Sequence, residues 1–275
     1  MTASNFQEIL DNPVIIGTIK AIQRVVGYQL SQEDKKPYIY FHNYFTNPQP
    51  QFITEWRNDT LKEKWYHRLS NGILLNVQNT DICVQYHFDR LISIEKELLD
   101  SIEKYDYKNA LGNTLLSPGS TYIWDFEFQA FILALRRCLD FLTKAICNYL
   151  KNDFHSFRKF SDYLQKLNRP VFSNPLIEIY KRYASKFTYL LSDGSNKSIR
   201  DYITHHRYVE VGCINLSKSG FRLVGGGTDI NMSLPQDPIL LSDTLWSYLN
   251  DFRLFLKDII FGFVDAMRAE QSSKK

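Results

Sequence analysis

The sequence has few of the residues that mark special classes of protein. Only 12 Gly and 9 Pro occur among its 275 residues, which excludes collagen-like and linker compositions. The most apolar stretch, from Phe252 to Met267, is interrupted by Lys257, Asp258 and Asp265. It therefore falls short of the ~20 apolar residues of a membrane span. Since the N-terminus also lacks a basic region followed by an apolar run, the sequence predicts a cytoplasmic protein without a secretory signal.

Cysteine and histidine are scarce and poorly spaced for metal binding. The four cysteines form no CxxC pair, and no histidine stands at ligand spacing from them: Cys83, Cys138, Cys147 and Cys213. This pattern is typical of buried, reduced thiols. The run Gly225–Gly227 lacks the Lys-Ser/Thr of a phosphate loop and is interpreted as a turn. The sequence therefore predicts no metal and no cofactor.

Excess charge is also small, at +3 for the whole chain. It is unevenly distributed, because residues 151–210 contain eleven Lys or Arg against six Asp or Glu. An excess of this size is usual for a solvated surface, and it is also what a phosphate-binding region needs. Both interpretations stay open at this point.

Aromatic residues, by contrast, are abundant: 19 Phe, 17 Tyr and 4 Trp exclude a disordered chain. Two long helices show apolar stripes at steps of three and four residues. The first stripe is Trp124, Phe128, Phe131, Leu135, Cys138, Leu142, Ala145 and Tyr149. The second is Leu245, Leu249, Phe252, Leu256, Ile259, Phe263 and Met267, with Ser242 as its expected N-cap. Long striped helices predict an antiparallel bundle with a buried aromatic core.

The remaining elements are shorter. Helical patterns cover residues 5–30, 88–105, 155–168 and 175–192, with breaks at Pro170 and Pro175. Turn signals at Asn71-Gly72 and Asn79-Thr80-Asp81 predict a strand pair, Ile73 to Val77 and Ile82 to His87. Residues 209–216 and 221–224 predict a small β-hairpin. The prediction is thus a mainly α protein, with an α+β N-terminal region over 1–115 and a helical bundle over 116–275; Gly112, Pro118 and Gly119 mark the boundary.

The segment from Ser198 to Arg207 (SIRDYITHHR) holds the candidate chemistry. Ser198 and Asp201 fit a capping box, so the helix should begin at Ile199. A guanidinium and free backbone N–H groups in this first turn suit an anion. Asp201 and His205 are four residues apart and should share a helix face. Arg200 lies roughly 140° from His205 and roughly 120° from His206 on a straight helix, so a distortion, the reach of the long Arg side chain or a second copy of the chain is needed to bring them together.

The pattern Arg200-Asp201-x-x-x-His205 resembles the R-x4-6-H signature of the HEPN superfamily, and the long helix from Trp124 to Asp140 is similar to an early helix of that fold. The resemblance covers roughly residues 116–270. It implies a compact helical bundle, usually a homodimer with two motifs facing across the interface. Arg200 with His206 fits the same signature, and His206-Arg207-Tyr208 resembles the HxY extension of toxin members that pair with antitoxins. Asp201 departs from the family, where Asn is more common.

Many members of this superfamily are metal-independent ribonucleases that leave 2′,3′-cyclic phosphate. The resemblance implies that His205, or His206, acts as base or acid, that Arg200 stabilises the phosphorane, and that Asp201 orients His205. Lys197, Arg207 and Tyr208 would bind RNA. A role in defence or stress, with an antitoxin or regulatory partner, would follow.

Two other hypotheses remain. The first is a non-catalytic bundle of the same type that binds RNA, a nucleotide or a protein. The second is an interaction protein that uses aromatic residues of the first 115, such as Trp56, Trp65 and the run from Tyr38 to His42, although the core is the more usual place for them.

Overall fold

Helices account for most of the chain that the computed structural model describes, which comprises residues 12–47, 50–117, 119–192, 197–224 and 241–273. In chain order the helices are α1 (Pro13–Val26), α2 (Gln32–Thr46), α3 (Gln51–Arg57), α4 (Glu63–Asn71), α5 (Gln78–Ile102), α6 (Tyr107–Leu111), α7 (Tyr122–Tyr149), α8 (Phe160–Gln165), α9 (Pro170–Ala184), α10 (Ile199–Asp201) and α11 (Leu241–Ser272). Two π-helical segments, Gly72–Val77 and Tyr202–His206, extend α4 and α10, and two 3₁₀ turns, Phe157–Lys159 and Ser185–Phe187, flank α8 and α9. The predicted mainly helical class is confirmed.

The long helices α7 and α11 bury the stripes that the sequence predicts. Every position of both stripes is buried, from Trp124 to Tyr149 and from Leu245 to Met267. Helix α5 packs on α7, α9 packs on α11, and α11 also contacts α2 and α5. The hydrophobic core includes side chains from both sides of residue 115. The division of the chain at that residue stays a prediction.

The predicted strand pair within residues 73–87 is wrong. Helix α4, the π-helical segment Gly72–Val77 and α5 form one continuous helical stretch from Glu63 to Ile102. Gly72 is not part of a turn; a Cβ there would lie 2.7 Å from the Cβ of Ala145, so glycine allows close packing on α7. The α+β expectation for residues 1–115 is wrong too, because the described part of that region forms helices and contains no strand; the isolated bridge from Leu116 to Leu216 lies just outside it.

Some predicted helix ends need correction. Pro13 and Pro170 occupy the first turns of α1 and α9, as expected of proline. Pro175 lies inside α9 instead of separating two helices. Ser242 is not an N-cap, because Leu241 is already helical; its N–H donates to Oε2 of the buried Glu95 from α5 at 3.2 Å. The carboxylate of Glu95 on α5 therefore satisfies a backbone N–H at the start of α11, a role that the sequence prediction gave to the Ser242 hydroxyl.

The small β-hairpin is confirmed. Strands β1 (Cys213–Ser217) and β2 (Gly220–Val224) pair antiparallel, with Cys213 opposite Val224 and Ser217 opposite Gly220. Gly220 has φ 110°, a left-handed value that favours glycine in the tight connection. The Gly225–Gly227 turn, Pro118 and residues 5–11 of the first predicted helix lie outside the described residues. No helix in the described part of the chain is long and apolar enough to cross a membrane.

The expectation that the cysteines are buried holds for two of the four. Cys138 and Cys147 are buried, whereas Cys83 and Cys213 are exposed. We expect a thiol reagent such as iodoacetamide to modify Cys83 and Cys213 in the native protein, and all four cysteines after unfolding. Mass spectrometry of the labelled peptides measures this. Labelling of Cys138 or Cys147 in the native state would contradict the packing of α7.

Candidate functional site

Helix α10 begins as the sequence predicts. Ser198 is its N-cap, and the hydroxyl oxygen accepts a hydrogen bond from the N–H of Asp201 at 3.2 Å. The reciprocal half of the capping box is absent from this turn, because the N–H of Ser198 donates to Oγ of Ser192 at 3.1 Å. The N–H of Arg200 donates to the carbonyl oxygen of Tyr189 at 3.2 Å. These bonds fix the start of the motif to the chain that follows α9.

The motif helix then widens into a π-turn. The N–H of Arg207 donates to the carbonyl oxygen of Tyr202, five residues earlier, at 3.0 Å. A π-turn needs more residues per turn than an α-helix, so residues five apart lie closer to one face. The guanidinium of Arg207 indeed lies 5.0 Å from the ring centre of Tyr202. Arg200 and His205 have the same spacing, but Arg200 precedes the π-helical segment Tyr202–His206, so this hydrogen bond does not itself align the two side chains.

Arg200 and Asp201 form the charged part of the site. Nη1 of Arg200 lies 2.8 Å from Oδ1 of Asp201, and both side chains are partly buried. Nε of Arg200 is buried and has no hydrogen-bond partner among the described residues. The second oxygen of Asp201 accepts a hydrogen bond from the hydroxyl of Ser192. Asp201 therefore positions Arg200, and its hydrogen-bond partners do not include His205, the residue that the resemblance gives it.

His205 and His206 are exposed at the end of the π-turn. Their rings lie 6.3 Å apart, and the ring of His206 is 5.9 Å from that of Tyr202. Neither imidazole has a hydrogen bond or ion pair within the described chain, so both nitrogens of each ring are free to bind or to exchange protons. Lys197 is likewise exposed, immediately before the N-cap.

A buried carboxylate that sequence reasoning missed anchors the end of the motif. Asp125, on α7, accepts hydrogen bonds from the hydroxyl of Tyr208 at 3.1 Å, the N–H of Val211 at 2.7 Å and the hydroxyl of Thr121 at 2.9 Å. Partial burial and the bond to Asp125 raise the pKa of Tyr208 to about 12. The sequence signal that could have revealed it is the position of Asp125, an acidic residue directly after Trp124, where the apolar stripe of α7 begins.

Exposed apolar side chains surround this anchor. Tyr122, Ile123 and Phe126 on α7 are 59%, 67% and 60% exposed, and Tyr208 is 46% exposed. The rings of Tyr122 and Phe126 each lie 6.5 Å from the ring of Tyr208. We call these four residues the α7 patch. Exposed apolar clusters of this kind commonly mark contact surfaces.

Other candidate residues lie elsewhere. Trp56 and Tyr38, considered above as an aromatic binding surface, are buried in the core. No group of three His, Cys, Asp or Glu residues within the described ranges is arranged to hold a metal ion. The chain matches no protein-family model, no curated protein sequence and no solved structure.

Proposed function

We propose that this protein is a metal-independent endoribonuclease of the HEPN type. The observation that best supports the proposal is that one short helical segment carries Arg200, held by Asp201, and His205, whose imidazole is exposed and has no hydrogen bond or ion pair within the described chain. An imidazole to transfer protons and a guanidinium to stabilise negative charge, both on one short helical segment, are the two groups that phosphodiester transfer requires.

In the proposed reaction, His205 removes the proton of the ribose 2′-OH. The 2′-oxygen attacks the adjacent phosphorus, and the 5′-oxygen leaves with a proton from a histidine. The guanidinium of Arg200, held by Asp201, stabilises the charge that builds on the phosphorane oxygens. Lys197, Arg207 and Tyr208 border the site and would contact the RNA backbone and bases. The products are a 2′,3′-cyclic phosphate and a free 5′-hydroxyl.

The proposal includes a homodimer in which two copies of the motif face each other. The α7 patch lies next to the motif segment, since Tyr208 follows His206 by two residues. An exposed apolar surface beside a charged site is the kind of surface that a second copy would cover. Two facing motifs would supply both a general base and a general acid.

The test is cleavage of mixed single-stranded and structured RNA in the presence of EDTA, with analysis of the product ends. We expect cleavage that leaves cyclic phosphate. Absence of cleavage by a folded dimer would favour the non-catalytic alternative, a bundle that binds RNA, a nucleotide or a protein.

The Arg200–Asp201 ion pair favours this non-catalytic alternative. The carboxylate neutralises part of the guanidinium charge and would repel a scissile phosphate. Under this alternative, Arg200→Ala weakens RNA binding and there is no cleavage to lose.

A charge placed in the α7 patch tests the dimer separately. We expect Phe126→Asp to raise the dimer dissociation constant by about 30-fold, because a carboxylate would be buried in an apolar contact. Sedimentation at several protein concentrations measures this. Leu61→Asp is the matched control, since Leu61 is equally apolar, 81% exposed and outside the patch. An unchanged dimer in the Phe126→Asp protein would remove the patch from the interface.

A further inference from the structure

A cavity of about 960 Å³ lies at the C-terminal end of α7, far from the motif. Its floor is formed by buried aromatic side chains, Phe52, Trp56 and Tyr149. Asp125, the anchor of the motif, lies 24 residues before Tyr149 on the same helix, a separation of about 36 Å at 1.5 Å per residue. The volume is in the range of small-molecule sites, which are concave and largely apolar with a few polar groups.

Lys151 stands at the edge of this cavity in an unusual backbone conformation. It has φ 57°, and no other non-glycine residue in the described ranges has a positive φ. The N–H of Lys151 donates to the carbonyl of Asn148 at 3.0 Å, and the N–H of Asn152 donates to the carbonyl of Cys147 at 3.0 Å. These two bonds form a Schellman motif, in which the left-handed position is usually glycine. The chain keeps a lysine where glycine would be less strained.

The ammonium group of Lys151 is held over the aromatic floor. Nζ lies 5.6 Å from the ring centre of Trp56, and no carboxylate pairs with it in the described structure. A cation above an aromatic ring is attracted to its face. Lys151 is therefore an exposed positive charge beside the aromatic floor that remains available to an anion.

Among the other charged residues that line the cavity, positive charges outnumber negative ones. Arg169 and Arg268 also line it, against one lining carboxylate, Glu55. Arg169 makes a bidentate ion pair with Glu270, with both N–O distances 2.6 Å, and Arg268 lies 3.3 Å from Asp265. Lys151 thus contributes most of the unbalanced positive charge.

Amide and hydroxyl groups complete the rim. Asn47, Gln51, Gln271 and Ser272 line the opening. Side-chain amides both donate and accept hydrogen bonds, as recognition of a heterocyclic base requires. Aromatic rings offer a surface for such a base, and the cations suit phosphate groups.

We propose that this cavity binds a nucleotide, with its phosphates at Lys151 and Arg268 and its base against the aromatic floor. The site is separate from the motif and does not depend on RNA cleavage. The proposal gives the backbone conformation of Lys151 a function, because from that position the side chain lies over the ring of Trp56.

The test is isothermal titration of the full chain with each of the four ribonucleoside triphosphates in EDTA. At least one should bind, and Lys151→Gly should weaken that binding by about tenfold. The same substitution removes left-handed strain and should raise Tm by about 2 °C. A loss of binding in a more stable protein separates a ligand site from a structural role.

Four further variants serve as comparisons for Lys151→Gly. Lys151→Asn removes the charge but tolerates the left-handed conformation, so it should also weaken binding, whereas Lys151→Arg should retain it. Lys144→Ala, which removes an exposed charge elsewhere on α7, and Arg200→Ala should bind as the wild type does. Failure of all four nucleotides to bind, or unchanged binding by Lys151→Gly, would overturn the proposal. Equally tight binding of inorganic phosphate alone would also overturn it, since the base would then contribute nothing.

Discussion

Replacement of Arg200 by alanine is expected to lower RNA cleavage by about 10³-fold, and replacement of His205 by a similar factor. Loss of a group that stabilises transition-state charge or transfers a proton typically costs ~10²–10⁴-fold. Initial rates on one RNA substrate in EDTA, at protein concentrations above the dimer dissociation constant, measure both effects. Because Arg200 and His205 act in one step, the double variant should be scarcely slower than either single variant.

His206→Ala is the matched control for this experiment, since both histidines are exposed neighbours on the same turn. The proposed reaction assigns proton transfer to His205, so His206→Ala should keep cleavage within about threefold of the wild type. A large loss in His206→Ala with an active His205→Ala protein would instead assign the motif to Arg200 and His206. Equal activity of all three variants would contradict the proposed reaction.

Asp81→Asn is expected to stabilise the protein strongly at pH 8 and hardly at all at pH 4. Asp81 is buried among α2, α5 and α11, where it accepts a hydrogen bond from the hydroxyl of Tyr38 at 2.9 Å. Burial raises its pKa from 3.8 to about 7, although attraction to Arg253 opposes the shift and repulsion by Asp34 adds to it. Within the part of the chain that the structure describes, Oδ1 of Asp81 has no hydrogen-bond partner.

The direction of this pH dependence follows from proton binding to Asp81 in the folded and unfolded states. Between pH 4 and 7 the folded protein keeps the Asp81 proton that the unfolded chain has lost, so the free energy of unfolding falls as pH rises through this window. For a rise from 3.8 to about 7, at 1.36 kcal/mol per pKa unit, the full loss is about 4 kcal/mol. Asparagine cannot ionise, so the variant should not show this decline. Urea unfolding of both proteins at several pH values measures it.

Asp100→Asn serves as the control, because Asp100 is an exposed carboxylate on the same helix, α5. Its free energy of unfolding should follow the wild-type pH dependence. If Asp81→Asn followed that dependence as well, burial of an ionisable Asp81 would be refuted.

The parts of the fold that could be predicted from sequence are those in which a pattern of apolar residues repeats along one helix. The stripes of α7 and α11 extend over many turns, and a pattern of that length leaves little ambiguity. The stretch from Ile73 to His87 is short, rich in β-branched and apolar residues, preceded by Asn71-Gly72 and interrupted by Asn76 and Asn79. It therefore satisfies a strand pattern as well as a helical one. Close packing of Gly72 on Ala145 favours the helix, and these two residues are 73 positions apart in the chain.

The same distinction applies to the candidate site. The Ser198 cap and the start of α10 could be predicted because the interacting groups are three residues apart. Pairing of Asp201 with Arg200 and Ser192, and not with His205, depends on how the chain returns after α9. The bond from Tyr208 to Asp125 spans 83 residues. Local patterns contain no information about either arrangement.

The π-turn at Tyr202–His206 also has an evolutionary consequence. A π-turn contains one residue more than the α-turn it replaces, so it can arise by a single-codon insertion and be lost by a single-codon deletion. A deletion there would rotate every later residue by about 100° and draw Tyr208 away from Asp125. Natural variation in this segment should therefore be dominated by substitutions, with length changes accompanied by compensating changes near Asp125.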